Sequence, residues 1–119
     1  MKMKKIYAMA TLILMAFQAS AINCKDPQNQ IEINECSANE LEKEDKLLNK
    51  VYGDFRKSLD KKEQDKLKTA QISWIKYKEQ FCEFEGSLME GGSMLPLVIS
   101  ECKKELTQQQ RKRITDLMH

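Results

Sequence analysis

The chain has 119 residues, enough for one domain, with 20 Lys+Arg against 18 Asp+Glu and a formal charge of +2. Three of those lysines fall within the first five residues, so the rest of the chain carries no net basic field of the kind nucleic acid requires. One His, the last residue, and four Cys without a C-x-x-C pair argue against histidine-assisted nucleophilic chemistry and against a zinc site, and nothing points to a metal or a cofactor.

Residues 1–21 read as a signal peptide. Lys2, Lys4 and Lys5 form a basic start, Ile6 to Phe17 an apolar run, and Ala19-Ser20-Ala21 a small-x-small cleavage site. The apolar run is about a dozen residues, short for a membrane-spanning helix, which needs roughly twenty. Cleavage leaves residues 22–119 as one domain, with no stable membrane span and with 17 basic against 18 acidic side chains. Cys24, Cys36, Cys82 and Cys102 all lie in that part. An even count in a short exported chain reads as disulfides and places it in the periplasm or outside the cell.

The domain reads as all-α, a small antiparallel bundle of about three helices stapled by two disulfides. Asp26-Pro27 resembles a cap followed by Pro at the first helical position, opening a short stretch toward Cys36. Ser37 with Glu40 has the capping-box pattern, which sets a long first helix over about 37–59. Leu41, Leu48, Tyr52, Phe55 and Leu59 form its apolar stripe, broadened by Leu47 and Val51, and Gly53 inside it is expected to permit close helix packing. Asp60 with Glu63 caps a second helix from about Lys61, joined by a turn so short that the two helices must be antiparallel. That helix carries LKTAQISWIKYKEQFCEF, with Leu67, Ala70, Trp74, Tyr77, Phe81 and Phe84 at spacings of three and four. Leu48, Tyr52, Leu67, Trp74, Tyr77 and Phe81 are the expected core. Residues 86–96, rich in glycine, form the one real loop. A third helix follows over about 97–117, with Ile99, Cys102, Leu106, Ile114 and Leu117 inward.

Up-down-up helices bring Cys36, Cys82 and Cys102 to one end, so geometry leaves more than one pairing open. Cys24–Cys36 with Cys82–Cys102 closes the shortest loops and is the preferred one, its second bridge clamping the ends of the glycine loop.

No catalytic residue emerges. Glu32 with Glu35, Glu40 with Glu44 and Glu42 with Asp45 are paired carboxylates of the type glycoside hydrolysis uses. On an amphipathic helix the same pattern serves the helix dipole and pairs with nearby lysines, which is the preferred reading. Two segments are candidates for binding a partner: the loop, through Leu88, Met89, Gly91, Gly92, Ser93 and Met94, and the acidic start of the first helix, through Glu40 and Glu44, which suits a basic protein. Trp74 and Tyr77 are the residue types of interface hot spots but lie on the stripe assigned to the core.

Several segments together resemble a known family. Cys24 and Cys36 are followed by Asp45, Leu48, Asn49 and Tyr52 as D-x-x-L-N-x-x-Y. Leu67, Lys68, Ala70, Gln71, Trp74, Ile75, Tyr77 and Cys82 come next as L-K-x-A-Q-x-x-W-I-x-Y-x-x-x-x-C, then Gly91-Gly92-Ser93, then Cys102, Thr107 and Arg111. This order is similar to the exported domain named for the LprI-type lysozyme inhibitor, with Lys78 where many members have Arg. The resemblance implies an all-helical, disulfide-stapled periplasmic or secreted protein, and with no catalytic residue found the chain is not expected to be an enzyme. Its implied partner is a lysozyme; the alternative is an accessory role with another envelope protein. Asn49, Gln71 and Arg111 are expected to bridge or cap helices.

Overall fold

A computed structural model describes residues 21–119; the signal-peptide reading falls almost wholly on residues outside the described ones. Three helices make up the fold, α1 (Gln30–Ser58), α2 (Lys61–Ser87) and α3 (Leu95–Leu117), with no strand among the described residues. None of the helices is long and apolar enough to cross a membrane.

The first helix begins neither at Pro27 nor at Ser37. Asn29 is its cap: the side-chain oxygen accepts the Glu32 backbone N–H at 2.9 Å, while the Glu32 carboxylate reaches back to the Gln28 N–H at 2.6 Å. The first bond satisfies a donor that the first turn leaves without a helical partner, and the second ties down the residue ahead of the cap. Ser37 is instead an interior, buried residue whose hydroxyl donates to Glu101 on α3 at 2.7 Å. Asp60 does cap α2, accepting the Glu63 N–H at 2.8 Å. Across the tight turn, Gln64 donates to the carbonyls of Arg56 and Leu59, closing the end of α1.

α3 is the shared partner of the bundle. It lies parallel to α1 along a polar seam, Ser37 to Glu101, Glu40 to Lys104 and Glu44 to Arg111, and antiparallel to α2, with which it shares a disulfide. α1 and α2 approach each other closely at few points besides their turn. The bridges are Cys24–Cys36 and Cys82–Cys102, with Cα atoms 5.6 and 5.5 Å apart, the pairing that short loops favour. Leu48, Ile114, Cys36, Cys82 and Cys102 are the buried apolar residues, and Ser37, Gln71, Lys78 and Thr107 are buried with them. The buried polar groups have partners: Gln71 accepts from Gln110 at 2.9 Å, and the Thr107 hydroxyl donates to the Lys103 carbonyl at 2.7 Å.

The expected core is only partly right. Leu48 is buried and Tyr52, Leu67 and Trp74 are half-buried, but Tyr77 and Phe81 are exposed, as are Phe84, Leu47 and Leu117. The face that α2 turns inward is Gln71, Lys78, Cys82 and Gly86, roughly a quarter turn around the axis from the apolar stripe. The disulfide and the close approach at Gly86 set that rotation, because both lie against α3.

The two helical glycines have opposite roles. A Cβ on Gly86 would lie 2.7 Å from Ile99 Cγ1 and 3.0 Å from Leu95 Cδ1, whereas one on Gly53 would meet nothing within 4 Å. Gly53 therefore does not serve close packing. Gly53→Ala is expected to stabilise the protein by up to about 1 kcal/mol, the helix-propensity difference. Gly86→Ala is expected to destabilise it by about 1–3 kcal/mol through overpacking. Urea unfolding of the two variants checks both signs.

Candidate functional site

The connection from α2 to α3 is the most distinctive surface of the chain. Three consecutive residues, Glu90, Gly91 and Gly92, have φ of 52°, 84° and 95°. Glycine is at home in that left-handed region, and the pair lets the chain reverse within a few residues. Both edges are fastened. Met89 N–H donates to the Gly86 carbonyl at 3.0 Å, Leu95 N–H to the Gly92 carbonyl at 3.3 Å, and Asn34 of α1 donates through Nδ2 to the Ser93 carbonyl at 2.9 Å. The Cys82–Cys102 bridge ties the two helices together just behind the loop. Leu88, Met89 and Met94 are exposed on this braced backbone, as are Gly91, Gly92 and Ser93. Apolar side chains held out by an ordered backbone lose little further freedom when a partner covers them.

The acidic start of α1 is arranged differently from its reading as a docking face. Glu40 receives Lys104 Nζ at 2.7 Å. Glu44, whose side chain is 16% exposed, accepts from Arg111 at 3.1 Å and from Gln108 at 3.3 Å. Their charge is matched within the bundle by bases of α3. Glu101 belongs to the same seam: the ammonium of Lys104 holds its carboxyl below the usual value of 4.5, helped by the Ser37 hydroxyl. Reciprocally, Glu101 and then Glu40 hold Lys104 above 10.5. Arg111 and Gln71, expected to bridge helices, do so, to Glu44 and Gln110.

Trp74 lies half-buried beside α3. Lys78 Nζ sits 4.8 Å from its ring centre and 3.4 Å from Asp45 Oδ1 on α1. An open groove of about 470 Å³ runs past Trp74 and Tyr77 to Leu106 and Arg113. No group of three or more His, Cys, Asp or Glu is placed to hold a metal ion among the described residues, and all four cysteines are oxidised.

The sequence reading missed the outward row Tyr77, Phe81 and Phe84. Its signal was present: Cys82 must face the helix to which it is bonded, which turns its neighbour Phe81 about 100° away.

The family model for the lysozyme inhibitor LprI matches residues 22–114. The uncharacterized protein R02472 of Rhizobium meliloti (strain 1021) is 31% identical over 109 residues, covering 81% of this chain and 78% of that protein. No solved structure matches the chain.

Proposed function

The chain belongs to the LprI lysozyme inhibitor family, and we propose on that premise that it is an exported, non-enzymatic protein that binds and inhibits a lysozyme. The observation that carries the reading is the braced loop with Leu88, Met89 and Met94 exposed at its edges. A rigid, apolar projection suits insertion into the concave, substrate-binding side of a hydrolase, where it would exclude the substrate without chemistry of its own. Two oxidised cysteine pairs support a periplasmic or extracellular location. Glu40 and Glu44 are left out of the contact surface, because their charges already serve the α1–α3 seam.

The test is to titrate the purified protein into several lysozymes and follow clearing of a cell-wall suspension. Inhibition saturating near one inhibitor per enzyme is expected, with Leu88→Ser plus Met94→Ser weakening it by at least about tenfold if these are contact hot spots. Absence of inhibition at tens of micromolar against every lysozyme type would overturn the reading and leave an accessory envelope role in its place.

A further inference from the structure

The outer face of α2 carries an apolar ridge that the bundle does not use. Tyr77, Phe81, Phe84 and Leu88 follow one another at helical spacings of four, three and four, and they are 51%, 41%, 56% and 65% exposed. Their rings touch each other: Tyr77 and Phe81 stack with centroids 5.5 Å apart, and Phe81 and Phe84 lie 6.2 Å apart. A single exposed aromatic is ordinary, but a contiguous row is the pattern of a helix face that meets a partner. The ridge cannot turn inward, because Cys82 is bonded to α3 and Gly86 is packed against Ile99. It also runs straight into the loop, since Leu88 is both its last member and the C-cap of α2.

Charge selects the occupant at the loop end of the ridge; Lys112 and Arg113 of α3 line the groove at its Tyr77 end only. Between Glu79 and Glu101 the sequence holds five acids and no Lys or Arg. Glu79 and Glu101 are taken up by Lys103 and Lys104. Glu83, Glu85 and Glu90 make no ion pair among the described residues. Glu85 lies four residues after Phe81 and three before Leu88, so it borders the ridge on the helix surface, and Glu90 borders its loop end. A second copy of the chain seated on the ridge would bring the same unpaired carboxylates together from both sides, since a two-fold contact uses one patch twice. A basic protein would meet them with opposite charge, which favours encounter and register.

We propose that the ridge Tyr77–Phe81–Phe84–Leu88, bordered by Glu85 and Glu90, is the docking face for a basic protein partner, with the loop as its distal end. The inference rests on the lysozyme reading and names the chemistry of the lysozyme it takes: one whose surface beside the cleft is cationic with an apolar strip. Phe81 and Phe84 supply the contact area, and Glu85 and Glu90 steer the approach.

The experiment is a calorimetric titration of a basic animal lysozyme with wild-type protein, with Phe81→Ser plus Phe84→Ser, and with Glu85→Lys plus Glu90→Lys. Ile72→Ser, an exposed position off the ridge, serves as control. Wild type and control are expected to bind alike. The aromatic variant should bind at least about tenfold more weakly, as loss of central aromatic anchors does. The charge-reversal variant should bind more weakly and lose salt dependence. Both should keep the wild-type melting temperature, since all four side chains face solvent. An aromatic variant that binds like wild type overturns this inference and leaves the loop reading intact. A wild-type protein that does not bind the basic lysozyme overturns this inference alone, whereas one that also inhibits no lysozyme of any type overturns both. A wild-type dimer in sedimentation equilibrium that Phe84→Ser dissociates overturns the inference by assigning the ridge to a second copy.

Discussion

Replacing Cys82 and Cys102 together by Ala is expected to lower the melting temperature by roughly 12–24 °C. The bridge spans a sequence separation of 20 residues. On the chain-entropy account, opening a loop of that length costs about 3 kcal/mol, and each kcal/mol is worth about 4–8 °C in a domain of this size. Cys82 is fully buried and Cys102 nearly so, so truncation also removes packed atoms between α2 and α3. Cys24–Cys36 spans 12 residues and gives a similar entropy, yet Cys24 is exposed in the segment ahead of α1. Its loss frees that segment without parting two helices. Circular dichroism melts of the two double variants separate the cases. On the proposed lysozyme-inhibitor reading, the Cys82/Cys102 variant should additionally lose inhibition more steeply than stability, because the loop edges are no longer held together. A loss below about 1 kcal/mol would show that helix packing alone fixes the α2–α3 end.

The second large effect is expected at Asp45. The side chain of Lys78 is only 8% exposed, while that of Asp45 is 42% exposed, and the two meet at 3.4 Å. Asp45→Ala leaves a buried ammonium with the Trp74 ring as its remaining close partner among the described residues. Breaking a fully buried pair costs about 3–5 kcal/mol; water at Asp45 reduces this to about 1–3 kcal/mol. Lys78→Met keeps most of the volume and removes the charge, and it should change stability by less than about 1 kcal/mol. Urea unfolding of the two single variants and the double variant gives the coupling directly. Equal losses from Asp45→Ala and Lys78→Met would show that the attraction of the pair itself, rather than the cost of stranding a buried charge, holds the site.

Much of this fold is legible in the sequence, and the failures share a cause. Asp60 and Glu63 announce the α1–α2 turn because capping is local. The disulfide pairing is the one that short loop closure favours among those geometry leaves open, again a property of chain distance. Ser37 looks like a cap by the same local rule, but its hydroxyl is claimed by Glu101, 64 residues away. The apolar stripe of α2 misleads for a related reason. Periodicity finds a face; it does not say which neighbour covers it. Gln71 and Lys78 are buried because Gln110 and Asp45 wait for them on other helices. The paired cysteines contain the correction, since Tyr77, Phe81, Phe84 and Leu88 all lie roughly 100–160° from Cys82 around the helix. The loop was legible as a chain reversal through its glycines, whereas the commitment of Glu40 and Glu44 to α3 was not, because the bases that claim them are remote in sequence.

The position of α3 as shared partner bears on how the molecule comes into being. Ribosomal synthesis delivers this helix after α1 and α2, and the bonds that join it to α1 connect residues 64 and 67 apart. Contacts of such separation repay their closure entropy late. Before α3 is complete, α1 and α2 have little besides their turn to hold them together. The first two helices therefore stay pliable until α3 has formed, and the bundle locks only when that third helix packs along both.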